Sequence, residues 1–101
     1  MEERAERLVA LLGLARRAGK LALGHSAVAQ QVRRGERPLV IVATDAGPGL
    51  RSRVARWTPV RGLVGDVLTT ADLARALGRE KLSVVGLSDP GFVAGIAKIG
   101  L

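Results

Sequence analysis

The sequence predicts an α/β fold, one β-sheet with helices on both faces. Three observations predict it. Segments with helical spacing of apolar residues alternate with short apolar runs along the chain. Gly, Pro and small polar residues separate them, with no repeat, linker or low-complexity stretch. The chain has 101 residues, 48% of them apolar, which suits one domain (residues 1–101) with one real core.

The elements follow in order. Glu2 to Ala18 reads as an amphipathic helix, with Leu8, Leu11, Leu12, Ala15 and Ala18 on one face. Its acids lie near the positive end of the helix dipole and Arg16 and Arg17 near the negative end, and Gly19 stops it. Lys20 to Leu23 is a short strand. Gly24-His25-Ser26 opens a second helix with Ser26 as N-cap, Val28 and Val32 as its buried edge and Gly35 at its end. Leu39 to Ala43 is a continuous apolar run, as expected of a central strand covered on both faces. Pro48 suits the first turn of a third helix carrying Leu50, Val54 and Trp57, which Pro59 ends. Val60 to Val64 reads as a strand weakened by Gly62. Thr69 and Asp72 form a capping-box pattern before a helix through Leu77 that stops at Gly78. Leu82 to Leu87 is the fourth strand. Asp89-Pro90 caps a last helix containing Phe92, Val93, Ile96 and Ala97.

Charge is unevenly placed. Residues 1–15 carry one more acid than bases, and residues 62–101 balance. Residues 16–61 hold ten Lys/Arg against Glu36 and Asp45, which accounts for the net +7 of the chain. A folded chain with that asymmetry has a one-sided field, and nucleic acid is the commonest polyanion for such a field. Thirteen of the bases are Arg, whose planar fork suits phosphate and guanine edges. A GC-rich genome would inflate Arg together with Ala, Gly and Val, so the position of the charge carries more weight than its chemistry.

Several classes are excluded or disfavoured. There is no Cys, hence no disulfide, thiolate zinc site or thiol catalysis. Trp57 and Phe92 are the only aromatics, too few for modules that stack bases on a sheet. His25 is the only His, and no Ser lies in a Gly-x-Ser-x-Gly elbow. No Gly-Lys-Ser/Thr follows Gly47-Pro48-Gly49, so there is no phosphate loop. The expectation is a non-enzymatic protein without cofactor or metal. The acidic start is unlike a signal peptide, and no apolar run approaches a membrane span. A cytoplasmic protein with no membrane partner is expected.

The run from Gly24 through Gln30 to Gly35, followed by Pro38-Leu39-Val40-Ile41-Val42-Ala43-Thr44-Asp45, resembles the L7Ae and L30e ribosomal proteins without a gap. Leu12 to Lys20 resembles the first helix of the small bacterial members, and Asp72 to Arg79 and Asp89 to Phe92 their later segments. The resemblance covers nearly the whole chain and is weakest from Arg61 to Leu68. It implies a three-layer α/β/α sandwich with a mixed four-stranded sheet. It also implies binding of kinked RNA at the start of the second helix and the loop after the fourth. The transferred positions are Gly24, His25, Ser26, Ala27 and Gln30, with Asp45 and the 78–83 loop (Arg79, Lys81) beside them.

Kink-turn readers of that family carry Gly-x-Asn-Glu-x-x-Lys where this chain has Ser26, Ala27 and Gln30. A carboxylate for guanine amino groups and a cation for the backbone are both missing, as in the similarly relaxed bacterial branch. Helix-start N–H groups from Gly24 to Val28 can still hold a phosphate. Arg17 and Lys20 precede that end, and Lys20 is expected to supply charge there. Arg33, Arg34 and Arg37 lie towards the other end, where they contact RNA or complement the helix dipole. Arg51, Arg53 and Arg56 read as a solvated face or a further contact.

The leading expectation is therefore a protein that binds structured RNA, rRNA or ribosome-associated, and is a monomer when free. One alternative is a docking partner of an RNA-modifying enzyme, since some RNA methyltransferases are similar in an N-terminal domain. Another is a protein-interaction module that has lost kink-turn recognition.

Overall fold

Strand and helix alternate throughout the computed structural model, which describes residues 2–101. The order is α1 (Glu3–Arg17), β1 (Leu21–Leu23), α2 (His25–Arg33), β2 (Leu39–Val42), α3 (Pro48–Ala55), β3 (Gly62–Val64), α4 (Thr70–Leu77), β4 (Val84–Leu87) and α5 (Pro90–Ala97). The sheet runs β1-β4-β2-β3. β4 is antiparallel to both its neighbours, and β3 is parallel to β2. The sheet is thus mixed, with β1, β2 and β3 pointing one way and β4 the other.

Two apolar layers follow from the alternation of side chains across the strands. Ile41, Val85 and Leu87 face Leu8 and Leu12 of α1, Leu73 and Leu77 of α4, and Ile96 of α5. Val40, Val42 and Val84 face the other way, towards Val28 of α2 and Val54 of α3. This is the three-layer sandwich expected, with α1, α4 and α5 on one face and α2 and α3 on the other. The fully buried leucines Leu8 and Leu12 each contribute about 1.5–3 kcal/mol by leaving water.

The approach of α2 to the sheet depends on one glycine. A Cβ on Gly86 would lie 3.0 Å and 3.1 Å from the two γ-carbons of Val28 and would collide with Gln31 Oε1. Gly86 sits in the centre of β4, so α2 rests directly on the strand backbone.

The structure corrects several boundaries. β1 begins at Leu21, because the ladder to β4 begins where Leu21 meets Leu87. β3 begins at Gly62 and β4 at Val84, since only these residues pair with β2. α3 ends at Ala55, before Trp57. Ser26 is not the N-cap of α2. Gly24 is, and no side chain caps that end. The β1–β4 pairing turns the chain at Gly24, two residues earlier than side-chain chemistry suggested. The capping box at Thr69 and Asp72, the Asp89 cap and Pro48 in the first turn of α3 are as expected.

Candidate functional site

Because β1, β2 and β3 share a direction, their C-terminal ends lie on one edge of the sheet, with the start of β4. Four contacts knit that edge together. Gly24 N–H donates to Val84 O at 2.9 Å, which pins the start of α2 to β4. Ala43 N–H donates to Ser83 O and Thr44 N–H to Leu68 O, each at 2.8 Å. The hydroxyls of Thr70 and Ser83 share a hydrogen bond of 2.9 Å. The α4–β4 loop is thereby held against the tip of α2.

A groove of about 240 Å3 opens at this junction. Its walls are Gly24 and His25 on one side and Lys81 and Ser83 on the other, with Leu50, Leu82 and Val84 as apolar lining. The N–H groups of His25, Ser26 and Ala27 find no hydrogen-bond partner among the described residues. α2 also has no acid in its first turn, whereas α4 and α5 have acids at their own N-terminal ends. The α2 tip therefore presents uncompensated donors and the positive end of the helix dipole, which together favour an anion.

Asp45 has a structural task at the same edge. Its Oδ1 accepts from Thr70 N–H at 2.8 Å, tying the β2–α3 loop to the start of α4. That backbone bond, more than the nearby Arg51 guanidinium, holds the Asp45 carboxyl below the usual carboxylate range. Arg51 is committed to the same loop. Its Nη2 donates to Thr44 O at 2.6 Å and Ala43 O at 3.2 Å, and its Nε to Ala46 O at 3.1 Å.

The residues singled out from the sequence do not all meet. Gly24, His25 and Lys81 line the groove, and Ser26 is exposed on the helix tip. Arg79 is exposed on the same loop as Lys81, and Arg17 is exposed at the end of α1. Lys20, Ala27, Gln30 and Arg34 line a different cleft, on the other flank of α2. Arg33 is exposed at the C-terminal end of α2. The position of Lys20 is a correction. Although only four residues before Gly24, it lies at the opposite end of β1, about 13 Å away along an extended chain. Leu50, half-buried against the α2–α3 layer, also edges the groove, a placement that its helical spacing does not reveal.

The family described as ribosomal protein L7Ae/L30e/S12e/Gadd45 has a sequence model that matches residues 6–92. A curated relative, the RNA-binding protein YlxQ of Bacillus subtilis, is 32% identical over 83 residues, covering 81% of this chain and 83% of that one. A solved structure of a protein with unknown function from Bacillus halodurans is 32% identical with a TM-score of 0.73, over 94% of this chain and 96% of the other. The Giardia lamblia 15.5kD RNA binding protein superposes with a TM-score of 0.72 at 24% identity, over 98% of this chain and 86% of that one, a likeness of fold.

Proposed function

Because this chain belongs to the ribosomal protein L7Ae/L30e/S12e/Gadd45 family, we propose that it is a non-enzymatic protein that binds structured RNA at the groove between the α2 tip and the α4–β4 loop. The RNA is kinked or bulged and associated with the ribosome. The observation that carries this reading is the meeting of Gly24, His25 and Lys81 around one groove. The unpaired α2 N–H groups take a phosphate, and Lys81 supplies a cation from the facing loop. Leu50, half-buried at the edge of the groove, offers an apolar surface to an unstacked base. With Ser26, Ala27 and Gln30 in place of Asn, Glu and Lys, base-edge hydrogen bonding is weak. Recognition then rests on the shape of the bent backbone.

The test is a binding titration on a kinked RNA duplex with two charge reversals. Lys81→Glu changes the groove. Arg61→Glu makes the same change in exposed charge at the other end of the sheet, just before β3. Lys81→Glu should weaken binding at least about tenfold, because it places a carboxylate beside the phosphate site. Arg61→Glu should change it only slightly, since exposed charges beyond about 8 Å are screened at physiological salt. Equal losses from the two variants would show that only net charge matters and would overturn the assignment of the groove.

A further inference from the structure

We propose that the end of the sheet where β2 and β3 begin docks an extended acidic segment of a partner protein. One of its apolar side chains fills a groove between β3 and α5, and its carboxylates meet Arg61 and the neighbouring cations. The proposal does not need the RNA groove, which lies at the other end of these strands.

The groove has a volume of about 240 Å3. Leu39 and Val64 line it from the strands, and Val93, Ile96 and Ala97 from α5, with the exposed Arg61 completing the wall. β3 is an outer strand that pairs only with β2, so its far edge is open. Ala43 N–H donates to Ser83 O, so β2 turns the main chain of Leu39 and Ile41 to β4 and that of Val40 and Val42 to β3. Leu63, opposite Val40, therefore turns its own N–H and C=O to the open edge. Its side chain is 56% exposed, the most exposed large apolar one among the described residues. It shares the α2–α3 face with Val40, whereas Val64 lies on the α5 face. A segment paired with β3 thus alternates its side chains between Leu63 on one face and the groove on the other.

Charge selects the partner. Arg61 is in the wall, Arg37 lies two residues before Leu39, and Lys98 follows Ala97. Arg61 N–H donates to Pro38 O at 2.9 Å, which draws Arg61 and Arg37 to the same end of the sheet. All three cations are exposed, and none has an ion pair among the described residues. Glu36, beside Arg37, is taken by Arg34 at 2.9 Å, and Asp66 lies past the other end of β3. Carboxylates complement such a rim. RNA fits it less well, because the groove has no aromatic side chain to stack a base and no helix-start N–H groups for a phosphate. A second copy of this chain would bring the same cations to the contact, and facing like charges cost affinity.

The test begins with random decapeptides displayed on phage and selected on the immobilised full chain. Selection should enrich sequences in which Asp or Glu accompanies Leu, Ile or Val. An enriched decapeptide, synthesised, should then shift the amides of Leu63, Val64, Val93 and Ala97 saturably in an NMR titration and leave those of His25 and Lys81 unmoved. Arg61→Glu and Ala97→Glu, both at exposed positions, should each weaken its binding at least about tenfold with the melting temperature little changed. Lys81→Glu should leave peptide binding intact, and Arg61→Glu should change RNA binding only slightly, so a failure here is distinct from a failure of the RNA groove. If one of the two groove variants does not fold, the other decides. No enrichment of acidic sequences overturns the proposal, and so does peptide binding that survives the substitutions. Shifts of the same amides by the kinked RNA duplex would give the groove to RNA, and shifts with protein concentration alone would give it to a second copy. Either result overturns the proposal.

Discussion

Gly24 shows how much one residue decides. Its φ of 88° and ψ of 162° lie in a region that only glycine occupies comfortably. Nothing stands within 4 Å of where a Cβ would be, so the constraint is backbone strain and not crowding. Gly24→Ala should therefore cost about 1–3 kcal/mol in denaturant titrations. It should also weaken RNA binding, because relieving the strain tilts the α2 tip away from Lys81. Asp45 carries a pH dependence. Its folded carboxyl titrates below its unfolded value, so its contribution is present above the ordinary carboxylate range and lost as pH falls through the folded value. Unfolding followed by circular dichroism below about pH 4 should show a steeper loss of stability for the native chain than for Asp45→Asn. Matching acid profiles would remove Asp45 from that role.

At the scale of elements, the two ends of α2 have different neighbours. β1 is short and α2 folds back along it, so the helix tip meets the α4–β4 loop while its other half meets Lys20. Helical spacing revealed α2 itself, but not this division. The α4 start is defined reciprocally. Asp72 N–H donates to Thr69 Oγ1 at 3.1 Å, and Thr69 N–H donates to Asp72 Oδ2 at 3.0 Å. Thr69→Ala should cost about 1 kcal/mol, lowering the melting temperature by about 4–8 °C for a domain near 100 residues. A calorimetric scan reads the shift. That cap was legible because both partners lie within one turn. The start of α2, which no side chain caps, differs from the expected Ser26, because it is anchored by the backbone bond from Gly24 to Val84, sixty residues away.

At the scale of the whole molecule, the excess charge of residues 16–61 becomes a surface property. Arg17, Lys20, Arg33, Arg34 and Arg37 are all exposed, as are Arg79 and Lys81 from the balanced C-terminal part. RNA affinity should fall steeply as KCl rises, with a log–log slope of about −0.7 to −0.9 for each phosphate contacted. Lys81→Glu should flatten that slope by about one contact. A slope near zero in filter-binding titrations would exclude a phosphate-dominated interface.

The order of helices and strands, the Leu8, Leu12 and Ala15 face of α1, the caps at Thr69 and Asp89 and the basic character of the middle were written in the sequence, whereas α2 buries Val28 and Gln31 in place of the expected Val28 and Val32. Each depends on residues within a turn or two of one another. The resemblance to a ribosomal-protein family added the mixed sheet and the helix tip. Tertiary structure alone decided which residues share a surface. Strand pairing brings Val84 to Gly24 and sends Lys20 to the opposite end of β1, and it places Gln31 over Gly86 beside Ser88. Such juxtapositions come from long-range hydrogen-bond register, which local spacing does not encode.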